Sequence, residues 1–483
     1  MMSEKKNEGN SVSRRSFLRN GALAAAGFMI VPRHVLGRGF VAPSDRLRVA
    51  AVGVGGKGYG DITSFAEGRA DIAFLCDVDK RRAAKAITTF PKAKFYTDYR
   101  EMFEKERKNF DAVSVSTPDH QHAVAAMAAM QLGKHVYVQK PLTHDIYEAR
   151  KLTEAAKKYK VVTQMGNQGA SGDGVRQLME WYNAGLIGDV HTVYVWTDRP
   201  VWPQGVAWPQ TNATIPAELN WDLWLGTAPK KNFVDNLVPF NWRGWWDYGT
   251  GALGDMGCHL IEPPFRVLGL GYPSSVEASV GSVYVGEFNR GYFPESCPPS
   301  SHVTMKFPVK GGKEVTMHWM DGGIQPERPE ELGPNEMMGD GGNGVIFVGT
   351  KGKMMCGTYG INPRLLPTSR NAEVNVPQTI ARVPEGHYLQ WVNAAIAGYN
   401  SKEAKSLSSP FDIAGPLTES ILMGNLAIRS YDYREAKIDG KGYNYPGRYI
   451  KLLWDGPNMK ITNFDPANQF VKRTYREGWS LGV

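Results

Sequence analysis

The chain has 483 residues, 42% of them apolar, and a formal net charge of +8, which leaves room for two domains with sizeable cores and excludes a disordered or fibrous protein. The excess Lys and Arg form no stripe: part lies near the N-terminus and the rest alternates with acids on helix faces such as YEARKLTEAAKKYK, so a nucleic-acid partner is not expected. The 4 cysteines include no Cys-x-x-Cys pair and support neither structural zinc nor a disulfide framework, which leaves room for a single disulfide outside the cytoplasm.

In chain order, the first expected element is a targeting segment over residues 1–37. Arg14 and Arg15 precede Ser16, Phe17 and Leu18, and the small-residue apolar run GALAAAGFMIV follows. That run is about half the ~20 residues needed to cross a bilayer. It resembles a twin-arginine signal, although no clean small-x-small cleavage site precedes VPRHVLGRG. Export through that route, to a periplasm, is the expectation, with no integral membrane anchor after processing.

From Arg46 the pattern alternates between short β-rich runs and helical periodicity. RLRVAAVGVG, DIAFLCDVD, AKFYTDY, FDAVSVSTP, KHVYVQKP and VVTQMG read as strands; HQHAVAAMAAMQLG and IYEARKLTEAAKKYK read as helices between them. The alternation predicts an α/β, doubly wound parallel sheet, a Rossmann domain over residues 45–165. Its first turn carries Gly53, Gly55 and Gly58 between a strand and a helix, and Asp77 ends the second strand. Strand, glycine turn, helix and acid in that order predict dinucleotide binding, with pyrophosphate at the helix start and adenosine ribose on the carboxylate. A carboxylate there favours NAD. Lys80, Arg81 and Arg82 follow closely and keep NADP as the alternative.

Residues 166–440 change texture to β-patterned pieces such as VHTVYVWTDRP, SHVTMKFP and KEVTMHWM, joined by Gly/Pro-rich loops. A predominantly antiparallel α/β substrate domain is expected there, with residues 441–483 as an extension packed on it. Its open sheet face suits a homo-oligomer. Most of the tryptophans fall between Trp181 and Trp246; Trp202, Trp208 and Trp245 are candidates to stack on sugar rings, while the others read as core. Two constellations carry chemistry. Gln139-Lys140-Pro141 lies at the C-terminal end of the fifth strand, where parallel sheets place ligands and a partly desolvated Lys can act as a base. In GTGALGDMGCHLIE, Asp255 and His259 share a helix face at i, i+4. Glu262 extends that pair to a candidate metal set, but a lysine-assisted nicotinamide enzyme needs no Lewis acid, so no metal is expected.

These motifs together resemble the glucose-fructose oxidoreductase, inositol dehydrogenase and rhizopine-catabolism (Gfo/Idh/MocA) family over roughly residues 45–440: the glycine turn, STPDHQHA after the fourth strand, Lys140-Pro141 and Asp255-x-x-x-His259. The resemblance implies oxidation or reduction of a sugar or cyclitol hydroxyl by a bound nicotinamide. It implies Lys140 as base or its assistant and Asp255 and His259 as a proton relay. It also implies Ser116, Thr117, Pro118 and His122 lining the cofactor, with Asn167 and Gln168 near the nicotinamide. One departure stands out: Gln139 occupies the position where the family usually has Glu.

Export narrows the function, because no NAD pool exists outside the cell with which to exchange. The expected protein is an exported oxidoreductase with tightly bound NAD acting on a ring hydroxyl of a sugar or glycoside, such as C3. The alternative is a NAD-dependent glycoside hydrolase running an oxidation, elimination, hydration and reduction cycle. A carbohydrate sensor that kept the nucleotide fold is the third reading.

Overall fold

The computed structural model describes residues 46–482. The expected targeting segment, with Arg14 and Arg15, lies outside the described residues. The first six strands are β1 (Leu47–Val52), β2 (Ala70–Cys76), β3 (Lys94–Tyr96), β4 (Ala112–Val115), β5 (His135–Val138) and β6 (Thr163–Met165). They form one sheet in the order β3-β2-β1-β4-β5-β6, parallel throughout. This is the doubly wound order whose ligand crevice opens between β1 and β4, at their C-terminal ends.

The crossovers are α1 (Lys57–Ala66), α2 (Lys80–Thr89), α3 (Tyr99–Glu106), α4 (His122–Gln131) and α5 (Ile146–Tyr159). Asp79 and Asp98 cap α2 and α3 by accepting from backbone N–H groups two residues on. Asp145 and Glu148 close a reciprocal capping box on α5, whose face Ala149, Leu152 and Ala156 is buried.

After α6 (Asp173–Asn183) the second sheet takes shape from β7 (Val190–Trp196), β8 (Ser275–Val280), β9 (Ser301–Pro308), β10 (Glu314–Met320), β11 (Gly344–Gly349), β12 (Gly352–Cys356), β13 (Arg364–Leu366), β14 (Leu452–Asp455) and β15 (Lys460–Ile461). Its order is β13-β12-β11-β7-β10-β9-β8-β14-β15. Only β7 with β10 pairs parallel, and a long excursion through residues 197–274 separates β7 from β8, the next strand of this sheet along the chain. The strict alternation of buried and half-buried residues along β9 marks one packed and one open face.

That excursion contains α7 (Gly251–Leu260), which is buried on nearly every side. A later helix, α8 (Gly386–Ala397), returns to the first sheet, where Trp391 is fully buried against Phe65 and Tyr137. Helix α9 (Phe411–Tyr431) packs on α5, α7 and β8, so it needs apolar or small residues all round. Beyond β15, residues 465–482 run back across the first domain through contacts described below. The four cysteines are buried and unpaired. Among the described residues, no helix is long and apolar enough to cross a membrane.

Candidate active site

The glycine turn is built for close approach. Gly53 has φ +79°, and a Cβ there would lie 2.7 Å from the Ser116 carbonyl carbon; a Cβ on Gly58 would lie 1.9 Å from the Gly53 carbonyl oxygen. No side chain caps the start of α1, whose N-terminus therefore suits an anion, although its Gly58 N–H already bonds the Gly55 carbonyl at 3.0 Å. Asp77 accepts from the backbone N–H of Val54 (2.9 Å), Gly55 (3.2 Å) and Asp79 (3.0 Å). Burial pushes its carboxyl up, against the pull of those hydrogen bonds. Of the three nearby basic residues, Arg81 is spent on Asp79 at 2.6 and 2.9 Å, whereas Arg82 lines the crevice. Glycines that tolerate no Cβ, an uncapped helix start and an acid at the end of β2 fit a dinucleotide.

One cavity of about 660 Å³ runs from this turn to the far side of the crevice and is lined at that end by Gln139, Lys140, Gln168, Asp255, His259 and Tyr359. Helix α7 delivers Asp255 and His259 from one face, and the end of β5 delivers Lys140. Lys140 Nζ donates to Asp255 Oδ1 and to the Asp255 carbonyl, both at 2.7 Å, and Arg243 Nε stands 3.3 Å from the same carboxylate. Burial alone would raise the Asp255 carboxyl; Lys140 and Arg243 overcome it and hold it at about 2. His259 makes no hydrogen bond to Asp255. Its ring meets Tyr359 edge-on at 4.6 Å, its Nδ1 is buried without a partner, and burial followed by the Lys140 charge lowers its pKa to about 3. At neutral pH the trio is therefore an ion pair beside a neutral imidazole.

Ser116, Thr117 and Pro118 line the cavity as expected positions on the loop after β4. His122 does not line it: its two ring nitrogens bond the Thr117 and Pro141 carbonyls at 2.8 Å, tying that loop to the end of β5. Asn167 is buried behind Gln168 in sequence, outside the cavity lining, with both amide atoms unpartnered. Glu262 does not line the cavity; its carboxylate lies 3.9 Å from Arg266, and burial pushes it up to about 7. Among the described residues no group of three potential metal ligands is close enough to share an ion.

Of the candidate stacking tryptophans, Trp202 lines the cavity. Trp208 and Trp245 instead pack edge to face at 4.7 Å inside a separate apolar cluster with Tyr248. Trp242, Phe240 and Tyr359 line the cavity without having been singled out by the sequence. Their loops are irregular, and no periodicity marks which side chain turns inward.

The sequence also gave no sign of the partner of Gln139. Its amide donates to both oxygens of fully buried Asp61 on α1 (3.1 and 2.9 Å), which also accepts from Lys57 (2.6 Å) and Ser116 (2.8 Å). The carboxylate beneath the turn thus comes from α1. A Glu at 139 would set two carboxylates against each other.

Both parts of the chain resemble known proteins. Residues 47–167 match the model of an oxidoreductase family's NAD-binding Rossmann fold, and residues 178–283 match the C-terminal alpha/beta domain of the same family. A curated relative, a glycosyl hydrolase family 109 protein of Shewanella pealeana, is 27% identical over 202 residues, 37% of this chain and 44% of that protein. The chain thus spans less than half the length of that relative. Among solved structures, the WlbA dehydrogenase of Bordetella pertussis in complex with NADH and UDP-GlcNAcA superposes with TM-score 0.55 at 16% identity, over 80% of this chain and 97% of that one. An inositol dehydrogenase homolog of Azotobacter vinelandii, complexed with NADH and myo-inositol, gives 0.52 at 17% identity, over 85% and 98%. These likenesses establish the fold.

Proposed function

The chain belongs to the Gfo/Idh/MocA oxidoreductase family, and on that premise we propose an exported NAD-dependent oxidoreductase acting on a ring hydroxyl, such as C3, of a sugar or glycoside. The observation that carries the reading is the single cavity joining the glycine turn and Asp77 to Lys140, Asp255 and His259. Bound NAD would supply the hydride acceptor. The glycine turn, Asp77 and the start of α1 would hold it, with Gln168 near its reactive end.

The side chains supply orientation and proton handling. Asp255 fixes the Lys140 ammonium at 2.7 Å, and Arg243 adds a second cation, so both are placed to donate hydrogen bonds to substrate oxygens. Neutral His259 is the group able to receive a carbinol proton without first losing one. Trp202 and Trp242 offer apolar faces for a sugar ring. Arg14 and Arg15 support export, and the half-buried face of the second sheet, with Tyr194, His302 and His318, supports a homo-oligomer.

A second reading, redox-neutral glycoside cleavage in the same cavity, is favoured by the glycosyl hydrolase family 109 relatives. Incubation of the purified protein with chromogenic glycosides separates the two. Ketone without aglycone supports the oxidoreductase, and aglycone without net ketone supports the hydrolase. A panel giving neither product overturns both.

A further inference from the structure

The C-terminal tail crosses the first domain and reaches the mouth of the cofactor crevice. Two groups of bonds fasten it before that point. Buried Glu148 accepts from Arg473 (2.7 Å) and from the Tyr475 hydroxyl (2.5 Å). Arg476 donates through its backbone to the Thr227 carbonyl (3.1 Å) and through Nε to the Gly226 carbonyl (3.0 Å). Beyond it, Leu481 is buried and the Gly482 carbonyl accepts from Gln131 at 2.7 Å. Between these anchors Gly478, at φ +83°, turns the chain and presents Trp479.

Trp479 lines the same cavity as Gly53, Asp77, Thr97 and Tyr99. Its ring lies 6.5 Å from that of Tyr99, and the Arg100 guanidinium sits 4.4 Å over its face. Arg100 is itself held by Asp98 at 2.6 Å. An aromatic wall is thus fixed at the Asp77 end of the crevice, far along the chain from every element of the nucleotide fold. Nothing in the Lys140 end of the site uses it.

We propose that Trp479, together with Tyr99, stacks on or edges the adenine of the bound dinucleotide, making the C-terminal tail a clamp on the cofactor. The inference rests on the NAD reading above. A planar, electron-rich base beside Asp77 is the ligand chemistry that an aromatic wall of this kind recognises, and one such stack contributes a factor of about ten or more in affinity.

The test is calorimetric titration of the full chain, stripped of nucleotide, with NAD, AMP and nicotinamide mononucleotide. Trp479→Ala should weaken NAD and AMP about tenfold or more and leave nicotinamide mononucleotide unchanged; Trp479→Phe should restore most of the loss. If the Ala variant does not fold, Trp479→Leu keeps the apolar bulk and removes the ring, and the same pattern is expected. Unchanged NAD and AMP affinity in the ring-less variant overturns the proposal. So does an equal loss for nicotinamide mononucleotide, since the tail would then be supporting the fold and not the adenine. A wild-type protein that binds none of the three nucleotides removes the NAD reading itself, and the clamp with it.

Discussion

Lys140 is engaged by a carboxylate held at about 2, while the imidazole one helical turn away is held neutral by burial and by that same lysine. Lys140→Met should lower turnover about a hundredfold while the fold survives, because Arg243 still faces Asp255 at 3.3 Å. Steady-state kinetics with thermal melts checks both halves. The pH dependence follows from His259. With a folded pKa lowered to about 3 it stays neutral through pH 5–7, so kcat/KM should show no acid limb near the ordinary imidazole value of ~6.5; a limb there that His259→Gln abolishes would show that its pKa is not lowered. The stability sign is also fixed. The unfolded chain takes up a proton below ~6.5 that folded His259 refuses, so this residue's contribution falls as pH drops from there towards 3, by at most about 1.4 kcal/mol per pH unit. His259→Gln should flatten that part of a urea-midpoint profile. At the other buried carboxylate, Gln139→Glu should destabilise by roughly 1–3 kcal/mol, because it sets a second carboxylate against Asp61. Adding Asp61→Asn should recover most of the loss, and a double-mutant cycle measured by denaturant unfolding decides it.

Helix α5 shows how an element can be legible in its pattern and illegible in its partners. Its capping box and apolar face are written locally in Asp145, Glu148, Ala149, Leu152 and Ala156. That Glu148 also receives Arg473 and Tyr475 depends on a chain returning from more than 300 residues away. Arg473→Met would leave Asp145 and Glu148 buried without their cation, with an expected cost of about 3–5 kcal/mol, and Glu148→Gln in the same chain should relieve part of it; chemical unfolding of the wild type and the two variants measures both. The same division runs through the fold. The parallel sheet was readable because strand and helix periods alternate and glycine, proline and acid stand at fixed offsets. The return of α8 to the first sheet was not, since Trp391 has the pattern of any buried helix residue until Phe65 and Tyr137 are seen against it. At the site, Lys140, Asp255 and His259 could be named from motif spacing. Arg243, Tyr359 and Trp479, which line the cavity, and Asp61, buried beneath the turn, could not, because each is placed by tertiary contact and not by local rhythm.

For the molecule as a whole, an exported chain with this fold must carry its cofactor with it, because the cytoplasm is where NAD is available for capture. Retention over hours, at an association rate of ~10⁶ M⁻¹s⁻¹, requires a dissociation constant well below nanomolar. The glycine turn, Asp77 and the loops over the cavity contribute at one level, and the tail bolted across Glu148, Thr227 and Gln131 contributes at another. If the export proposal holds, the protein recovered after export and dialysed should therefore release near-stoichiometric NAD on acid denaturation, measured by chromatography of the supernatant. Asp77→Ala should come through the same procedure depleted, since it loses the carboxylate that orders the turn and that the NAD proposal sets against the ribose. Nucleotide-free wild type that regains activity only with micromolar added NAD would mean rapid exchange. Such exchange is workable only where a pool exists, so that outcome would locate the enzyme inside the cell and make Arg14 and Arg15 an accidental pair.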